Sequence, residues 1–476
     1  MKRAELNILP GTAQLLVEGG DKRIQLDPLL GVNRYGCGAI PDPGLLDFSS
    51  ATASVISVGA FDSAGRLRER LDREIVYLSP AAIYAREIAR MRMDLLDLCE
   101  LGNIPEPDIV FAASGTDLHR IAAQLTQAAA GLPALVLMVD ETETGSGIRA
   151  AIKGSGHSIE IAAVPLRRAD GLPRRAAEID ADFCGLARQA HAAGRQVLLI
   201  QADVSKTGMI APSYACTAAL QQALGNRLDV LIDACQFRIA PATLRACLDR
   251  GYSVALTGSK FVGGPSFSGA LLIPANTVDR FRNRPLPRIP ANYPAAADWP
   301  DGWPAPGVLA PSWNFGLLLR WDAALYELRA FRALHEADVT RFLQTFAQAI
   351  HARFSGNPAF SPVDVPVLDR GALLENSCWD QVQTIFPFQL YQFSASDRRP
   401  LDSEQTQKVF RRLPSAPARC QIGQPVNYSA QHNALRLCLS ARQIVQGVVS
   451  EGGDAGPVIA QASTVLEQAA RLANLV

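Results

Sequence analysis

The sequence predicts an α/β fold: a mostly parallel sheet of the seven-stranded type with helices on both faces, followed by a smaller α+β C-terminal lobe. Two observations predict it. Between residues 108 and 273, short continuous apolar runs alternate with segments of helical period, as in buried parallel strands joined by helices. The chain of 476 residues is also too long for one simple core, which favours two lobes.

Composition excludes several classes of protein. Apolar residues make up 48% of the chain and charged residues 19%, as in an ordinary soluble globule. The 46 basic and 46 acidic residues balance, so we expect no nucleic-acid partner. No apolar run approaches the roughly 18–20 residues of a membrane span, and the N-terminus lacks a signal-peptide pattern, so we expect a cytoplasmic protein without a membrane partner. The nine cysteines form no CxxC pair, which predicts reduced thiols and no metal site.

Changes in composition along the chain predict four segments. The first is rich in Gly and Pro turns and is predicted to be irregular. The third holds three tryptophans amid prolines, and it is predicted to be an ordered crossing or lid, with a plain linker as the alternative. The segments are 1–75 for the N-terminal arm, 76–285 for the large domain, 286–314 for the crossing segment and 315–476 for the small domain.

The predicted elements of the large domain begin with a helix over 81–101, with Gly102 as its C-cap. A second helix, Leu118–Ala130, follows the first strand. Polar residues follow several of the strands, where α/β sheets bind ligands. The predicted strands are Asp108–Ala112, Ala134–Val139, Ser158–Val164, Gln196–Ala202, Leu228–Ile232, Ser253–Leu256 and Gly269–Ile273.

The small domain is predicted from three patterns. A helical period runs over Phe315–Ile350, as one long helix or two. An apolar strand is predicted at Leu435–Leu439, and a C-terminal helix at Pro457–Leu475. Mixed strands and turns between them indicate an α+β lobe.

Asp233 and Lys260 carry the strongest chemical signal. The acid ends one predicted strand, and the lysine follows the next strand 27 residues later. An amine that forms an imine with an aldehyde, and a carboxylate that keeps a ring nitrogen protonated, are what pyridoxal phosphate requires. A helix N-cap for Asp233 and a solvated strand-end lysine are the alternatives.

Two hydroxyl-rich segments could hold a phosphate. Ser114, Gly115 and Thr116 lie between a strand and a helix, where backbone N–H groups point at an anion. Thr257 and Ser259 occupy alternate positions just before the lysine, so both hydroxyls could reach the same phosphate. An ordinary turn and strand-end capping are the alternatives.

The order Ser-Gly-Thr, Asp-x-x-Gln and Thr-x-Ser-Lys resembles the fold-type-I pyridoxal-phosphate enzymes, the aspartate aminotransferase superfamily, and most closely the class V aminotransferase and cysteine desulfurase branch. The resemblance covers about residues 75–275 well. It implies pyridoxal 5'-phosphate as cofactor, an amino-acid substrate and a homodimer. The implied roles are Lys260 for the Schiff base, Asp233 for the pyridine nitrogen, Gln236 and Ser205 for the ring oxygen, Ser114, Gly115, Thr116, Thr257 and Ser259 for the phosphate, and Arg436 for the substrate carboxylate.

The chain departs from that family in two places. Where the family stacks an aromatic or histidine on the cofactor ring, this chain has Asp140-Glu-Thr-Glu-Thr-Gly, so one of residues 141–144 would have to serve. Desulfurases need a cysteine in a mobile loop, and Cys420 is near that place without aligning with it. For Arg436, a planar guanidinium suits a carboxylate, and a surface arginine is the alternative.

The resemblance implies chemistry through a carbanion at the substrate α-carbon, with Lys260 moving protons and Asp233 stabilising the charge. Transfer of an amino group or of a substrate fragment is the expected outcome. A lyase that catalyses elimination or replacement is the alternative. A non-catalytic relative that keeps the fold is a third reading.

Overall fold

The computed structural model describes residues 9–102, 105–154, 158–284, 294–304, 308–374, 378–394, 397–429, 431–450 and 452–476. Within these ranges, none of the helices combines the length and the apolar character that a membrane crossing requires.

The strands and helices alternate through the first two thirds of the chain. The strands are β1 Leu46–Phe48, β2 Asp108–Ala112, β3 Ala134–Val139, β4 Ile159–Val164, β5 Gln196–Asp203, β6 Ile210–Ala211, β7 Leu228–Ala234, β8 Ser253–Thr257, β9 Gly269–Ile273, β10 Phe360–Pro362, β11 Ile385–Ser394, β12 Asp397–Pro400, β13 Cys420–Asn427 and β14 Asn433–Cys438. The helices are α1 Thr12–Leu15, α2 Val58–Glu74, α3 Pro80–Leu98, α4 Gly115–Ala130, α5 Ile148–Lys153, α6 Ala176–Ala192, α7 Tyr214–Leu224, α8 Pro241–Asp249, α9 Ala275–Arg282, α10 Phe315–Arg332, α11 Glu336–Ser355, α12 Ser403–Arg412, α13 Ala441–Val445 and α14 Gly456–Ala473.

The large sheet has the strand order β2-β9-β8-β7-β5-β3-β4, and short β6 pairs with β5. Strand β9 is antiparallel to both neighbours, and the other pairs along this order are parallel. All six residues of β3 and all eight of β5 are buried, because helices cover both faces. The predicted fold class is confirmed, and each predicted strand of this sheet lies within two residues of the observed one.

A second sheet has the order β1-β13-β14-β11-β10, with β12 paired to β11. Helices α11 and α14 pack on it around an aromatic core in which the Phe48 and Phe346 rings stack. Its edge strand β1 comes from the predicted N-terminal arm and runs parallel to β13. The arm therefore joins the sheet that is built from the C-terminal half of the chain.

The prediction that residues 1–75 are irregular was wrong in one respect, because α2 within them is a regular helix of 17 residues. Its small and apolar side chains, Ala60, Ala64, Leu67 and Leu71, are buried in the main core. The helix was missed because two glycines and many charges dilute its apolar period. Residues 1–8 of the arm lie outside the described residues.

Helix α3 ends earlier than predicted. Its C-cap is Cys99, and Glu100 has a left-handed φ of 56°. The N–H of Leu101 then donates to the Leu96 carbonyl, as in a Schellman motif. Gly102 is therefore not the cap, although glycine is the usual residue for a left-handed position.

The long helix predicted from Phe315 is two helices, α10 and α11, separated by residues 333–335. Helix α10 packs in the core of the large sheet, although the sequence assigned it to the small domain. Residues 286–293 and 305–307 of the predicted crossing segment lie outside the described residues. Of its tryptophans, Trp299 and Trp303 are buried and Trp313 is half exposed. The division into four segments stays a prediction.

Candidate active site

A cavity of about 200 Å³ lies beyond the carboxyl ends of β5, β7 and β8. The register places Asp233 at the end of β7, opposite Ala202 of β5 and Ala255 of β8. Strand β14 of the second sheet also contributes to the lining. Every predicted site residue lines this one cavity, namely Ser114, Gly115, Thr116, Ser205, Asp233, Gln236, Thr257, Ser259, Lys260 and Arg436.

Asp233 is half-buried and faces a buried histidine that the sequence analysis missed. Nε2 of His119 lies 3.1 Å from Oδ2 of Asp233, and Nδ1 of His119 is 2.6 Å from the Gly115 carbonyl oxygen. Burial would raise the pKa of Asp233, but the charges of His119 and Lys260 outweigh it and hold this pKa far below its usual range. Burial lowers the pKa of His119, and the Asp233 charge overcomes that effect and raises it. Both shifts favour the charged pair, an imidazolium against a carboxylate.

Lys260 follows β8 in a tight turn. Its carbonyl accepts hydrogen bonds from the Ser54 hydroxyl and the Gly263 N–H, and Gly263 has a φ of 98° that favours glycine. The amine itself makes no hydrogen bond or ion pair with the residues that the structure describes. It is therefore available for covalent chemistry in the cavity that Asp233 also lines.

The Ser114–Thr116 turn is the N-terminus of α4, with Ser114 as the N-cap. Arg23 from the N-terminal arm, a second residue that the sequence analysis missed, donates to Thr116 Oγ1 at 3.2 Å and to Ser114 Oγ at 3.3 Å. Its guanidinium also pairs with Asp21 at 2.7 Å. Helix N-terminus, hydroxyls and guanidinium together are the donors that a phosphate needs.

The hydroxyls after β8 face the same region. Ser259 Oγ donates to Thr257 Oγ1 at 3.4 Å, and Thr257 donates its own hydrogen to the Cys235 carbonyl at 2.6 Å. Both side chains are buried. Ser259 can turn its hydrogen to an anion, whereas Thr257 would first have to release the carbonyl.

Gln236 and Ser205 differ in what they can offer a ring oxygen. Nε2 of Gln236 donates to the Ala51 carbonyl at 3.0 Å, and its Oε1 is buried with no partner among the described residues. This amide has hydrogen-bonding capacity left for a bound group. Ser205 already donates to Glu143 Oε2 at 2.7 Å and accepts from the Met209 N–H. Its hydroxyl hydrogen is therefore used within the protein and is not available to a ring oxygen.

Arg436 is buried, with 3% of its surface exposed, so the surface alternative does not hold. Its guanidinium donates to the Gln424 carbonyl twice, to the Lys206 carbonyl and to Thr52 Oγ1. No carboxylate of the described residues lies within ion-pair distance. A substrate carboxylate would displace some of these neutral partners and supply the missing charge.

Two of the four residues considered for the ring face, Glu143 and Thr144, line the cavity. Glu143 is 1% exposed and forms an ion pair with Arg167 at 2.9 Å. Cys420, the first residue of β13, does not line the cavity, and its thiol donates to the carbonyl of Ala418, which precedes the strand. No group of His, Cys, Asp and Glu that could hold a metal ion occurs among the described residues.

No protein-family model and no curated protein matches the sequence. Solved structures do match. The cystine C–S lyase C-DES, in complex with its product cysteine persulfide, has a TM-score of 0.59 at 16% identity, over 88% of this chain and 97% of that one. A C-DES variant with glycine covalently linked to its pyridoxal-phosphate cofactor has a TM-score of 0.57 at 15% identity, over 87% and 100%. The cysteine desulfurase CsdA of Escherichia coli has a TM-score of 0.54 at 13% identity, over 90% and 95%.

These matches span nearly the whole of both chains. The chain has the fold of a type-I pyridoxal-phosphate enzyme. At this level of identity the likeness concerns the fold, and the residues of the cavity must support any function by their own chemistry. The cavity lies beyond the carboxyl ends of parallel strands, where open α/β sheets bind their ligands.

Proposed function

We propose that this protein is a pyridoxal-phosphate enzyme that acts on an amino acid. The observation that carries the proposal is the Lys260 amine, which has no partner among the described residues. It shares one cavity with the Asp233–His119 pair and with the hydroxyls and guanidinium at the α4 N-terminus. A structural lysine would be expected to make an ion pair or to be solvated, and a structural acid would not need a buried imidazolium.

When bound, pyridoxal phosphate supplies a ring that accepts the electron pair left on the substrate α-carbon. The α4 N-terminus and Arg23 would hold its phosphate. Asp233, kept ionised by His119, would keep the ring nitrogen protonated, because an anion at that position stabilises the proton. The Lys260 amine would remove the α-proton, and Arg436 would orient the substrate by its carboxylate.

We favour elimination over amino-group transfer, so the lyase alternative of the sequence analysis becomes the preferred reading. In β-elimination Lys260 takes the α-proton, the bond to the β-substituent breaks, and that group leaves with the electron pair. Hydrolysis of what remains yields a 2-oxo acid and ammonia. Support comes from the likeness to C-DES and CsdA, whose names describe C–S chemistry. Among the described residues, Cys235 is the one cysteine of the lining and burial raises the pKa of its thiol, which disfavours a cysteine nucleophile.

The test is cofactor uptake by the purified protein. We expect pyridoxal phosphate to give a visible absorption band, and borohydride reduction followed by peptide mass analysis to find the cofactor on Lys260. The Lys260→Ala variant should lose this attachment, whereas Lys408→Ala, at an exposed lysine of α12, should keep it. Absence of the band from wild-type protein given excess cofactor would refute the proposal.

The same loaded protein distinguishes the two reactions. Elimination from cystine or another β-substituted amino acid releases a 2-oxo acid and ammonia without any added keto acid. Amino-group transfer requires the keto acid in stoichiometric amount and releases no ammonia. A product yield that depends on added keto acid would favour amino-group transfer over elimination.

A further inference from the structure

The acidic side chains that line the cavity are already neutralised. Glu143 pairs with Arg167 at 2.9 Å and accepts hydrogen bonds from Ser205 and Thr207. Asp233 faces His119. No other acidic side chain of the described residues lines the cavity, so its cations are not balanced by the lining itself.

Besides His119, four basic side chains line the same space. Arg23 pairs with Asp21 at 2.7 Å, and Lys260 is the residue that would bind the cofactor. Lys206 and Arg436 remain, and neither has an ion-pair partner among the described residues. The Lys206 amine donates only to the Glu141 carbonyl, at 2.8 Å.

These two residues are in contact. Nη1 of Arg436 donates to the backbone oxygen of Lys206 at 3.2 Å. Burial, and then the Arg436 charge, lower the pKa of the Lys206 amine to about 8, so the amine is still mostly protonated at neutral pH. Two like charges at the edge of a partly buried cavity are costly, and an anionic ligand removes that cost.

One α-carboxylate can balance only one of the two charges. On the basis of the function proposed above, we propose that the amino-acid substrate carries a second anionic group on its side chain, of the size of a carboxylate, and that Lys206 binds it while Arg436 binds the α-carboxylate. Lys206 would then be a specificity-determining residue. A neutral side chain would leave the lysine with its single carbonyl partner.

The test measures binding without turnover, by calorimetry on the cofactor-loaded protein. Succinate and glutarate carry two carboxylates and no amino group, and succinamate and glutaramate are the monoamides of the same lengths. We expect at least one dicarboxylate to bind about tenfold more tightly than its monoamide, as a charge-assisted hydrogen bond gives.

Substitutions assign the preference to a residue. Lys206→Met should abolish the difference in affinity between each dicarboxylate and its monoamide, mainly by weakening the binding of the dicarboxylate. Lys206→Arg should retain a difference in affinity because the positive charge remains. Lys408→Met, at the exposed lysine of α12, should behave as wild type. Equal affinities in wild-type protein, or a preference that survives Lys206→Met, would overturn this inference alone. Failure to take up the cofactor at all would overturn the proposed function as well.

Discussion

At the scale of single residues, the site depends on an ion pair between buried His119 and half-buried Asp233. His119 is 1% exposed and its Nε2 faces Asp233, while the Gly115 carbonyl fixes the other ring nitrogen. Loss of hydration by itself raises the pKa of this carboxyl and favours its protonated form. The histidine thus keeps an acid ionised in a place where burial alone would neutralise it.

The pair should make stability depend on pH. The pKa of His119 is raised above its ordinary 6.5 in the folded protein, so its stabilisation is fully present below about pH 6.5 and is lost as pH rises through the folded value. We expect His119→Asn to lower the free energy of unfolding of the cofactor-free protein by roughly 3 kcal/mol at acidic pH, and by less above neutrality. Melting temperatures measured across this pH range follow the change. His191→Asn, at an exposed position of α6, is the control. A loss that does not vary with pH would contradict the ion pair.

Sequence reasoning found the residues that follow strands and missed those that reach the cavity from elsewhere. Lys260, Asp233 and the hydroxyls lie at strand ends, so the strand pattern predicted their meeting. His119 could have been found, because it lies one turn after Gly115 on the helix that follows the phosphate turn. Arg23 gives no such signal, since its contacts to Ser114 and Thr116 depend on how the arm folds over the sheet.

At the scale of elements, the position of the α4 N-terminus is set by close packing. A Cβ on Gly115 would lie 2.9 Å from Cys235 Sγ and 3.3 Å from Thr257 Cγ2. The absence of a side chain therefore lets the first turn of α4 approach β7 and β8. The backbone N–H groups and the hydroxyls of both walls can then reach one anion.

We expect Gly115→Ala to weaken cofactor binding by about tenfold or more, because the methyl group pushes the helix from the strands at a cost of about 1–3 kcal/mol. Equilibrium titration with pyridoxal phosphate measures the change. Gly185→Ala on α6 is the matched control, since nothing lies within 4 Å of an added Cβ there. That variant should bind the cofactor as wild type and melt slightly higher, because alanine favours a helix. Unchanged binding of pyridoxal phosphate in Gly115→Ala would show that the turn accommodates the methyl group without displacing the helix.

The elements themselves were predictable to different degrees. The central strands are continuous apolar runs bounded by polar residues, so their ends were predicted within two residues. Helix α2 was missed because glycines and charges hide its buried face. The end of α3 was misplaced because a glutamate, Glu100, takes the left-handed conformation, which sequence rules assign to glycine.

At the scale of the whole molecule, the N-terminal arm connects three parts of the structure. Strand β1 extends the second sheet through β13. Buried Arg320 of α10 donates to the carbonyls of Leu16, Glu18 and Gly19, and Arg23 reaches the phosphate turn. Pairings between the first 50 residues and the last 60 could not be read from periodicity, because a parallel edge strand of three residues leaves no local pattern. The expected homodimer stays a prediction.

The arm should be coupled to the cofactor through Arg23. If its guanidinium binds the phosphate, the free energy of cofactor binding also holds the arm on the sheet, so that loading slows proteolysis within residues 9–45. Pyridoxal, which lacks the phosphate, should protect less. Arg23→Met should weaken the binding of pyridoxal phosphate about tenfold and make the two ligands protect the arm equally. The control is Lys22→Met, at the exposed neighbour outside the cavity, which should keep the difference between the two ligands. Equal protection by both ligands in the wild-type protein would mean that Arg23 serves only its pair with Asp21.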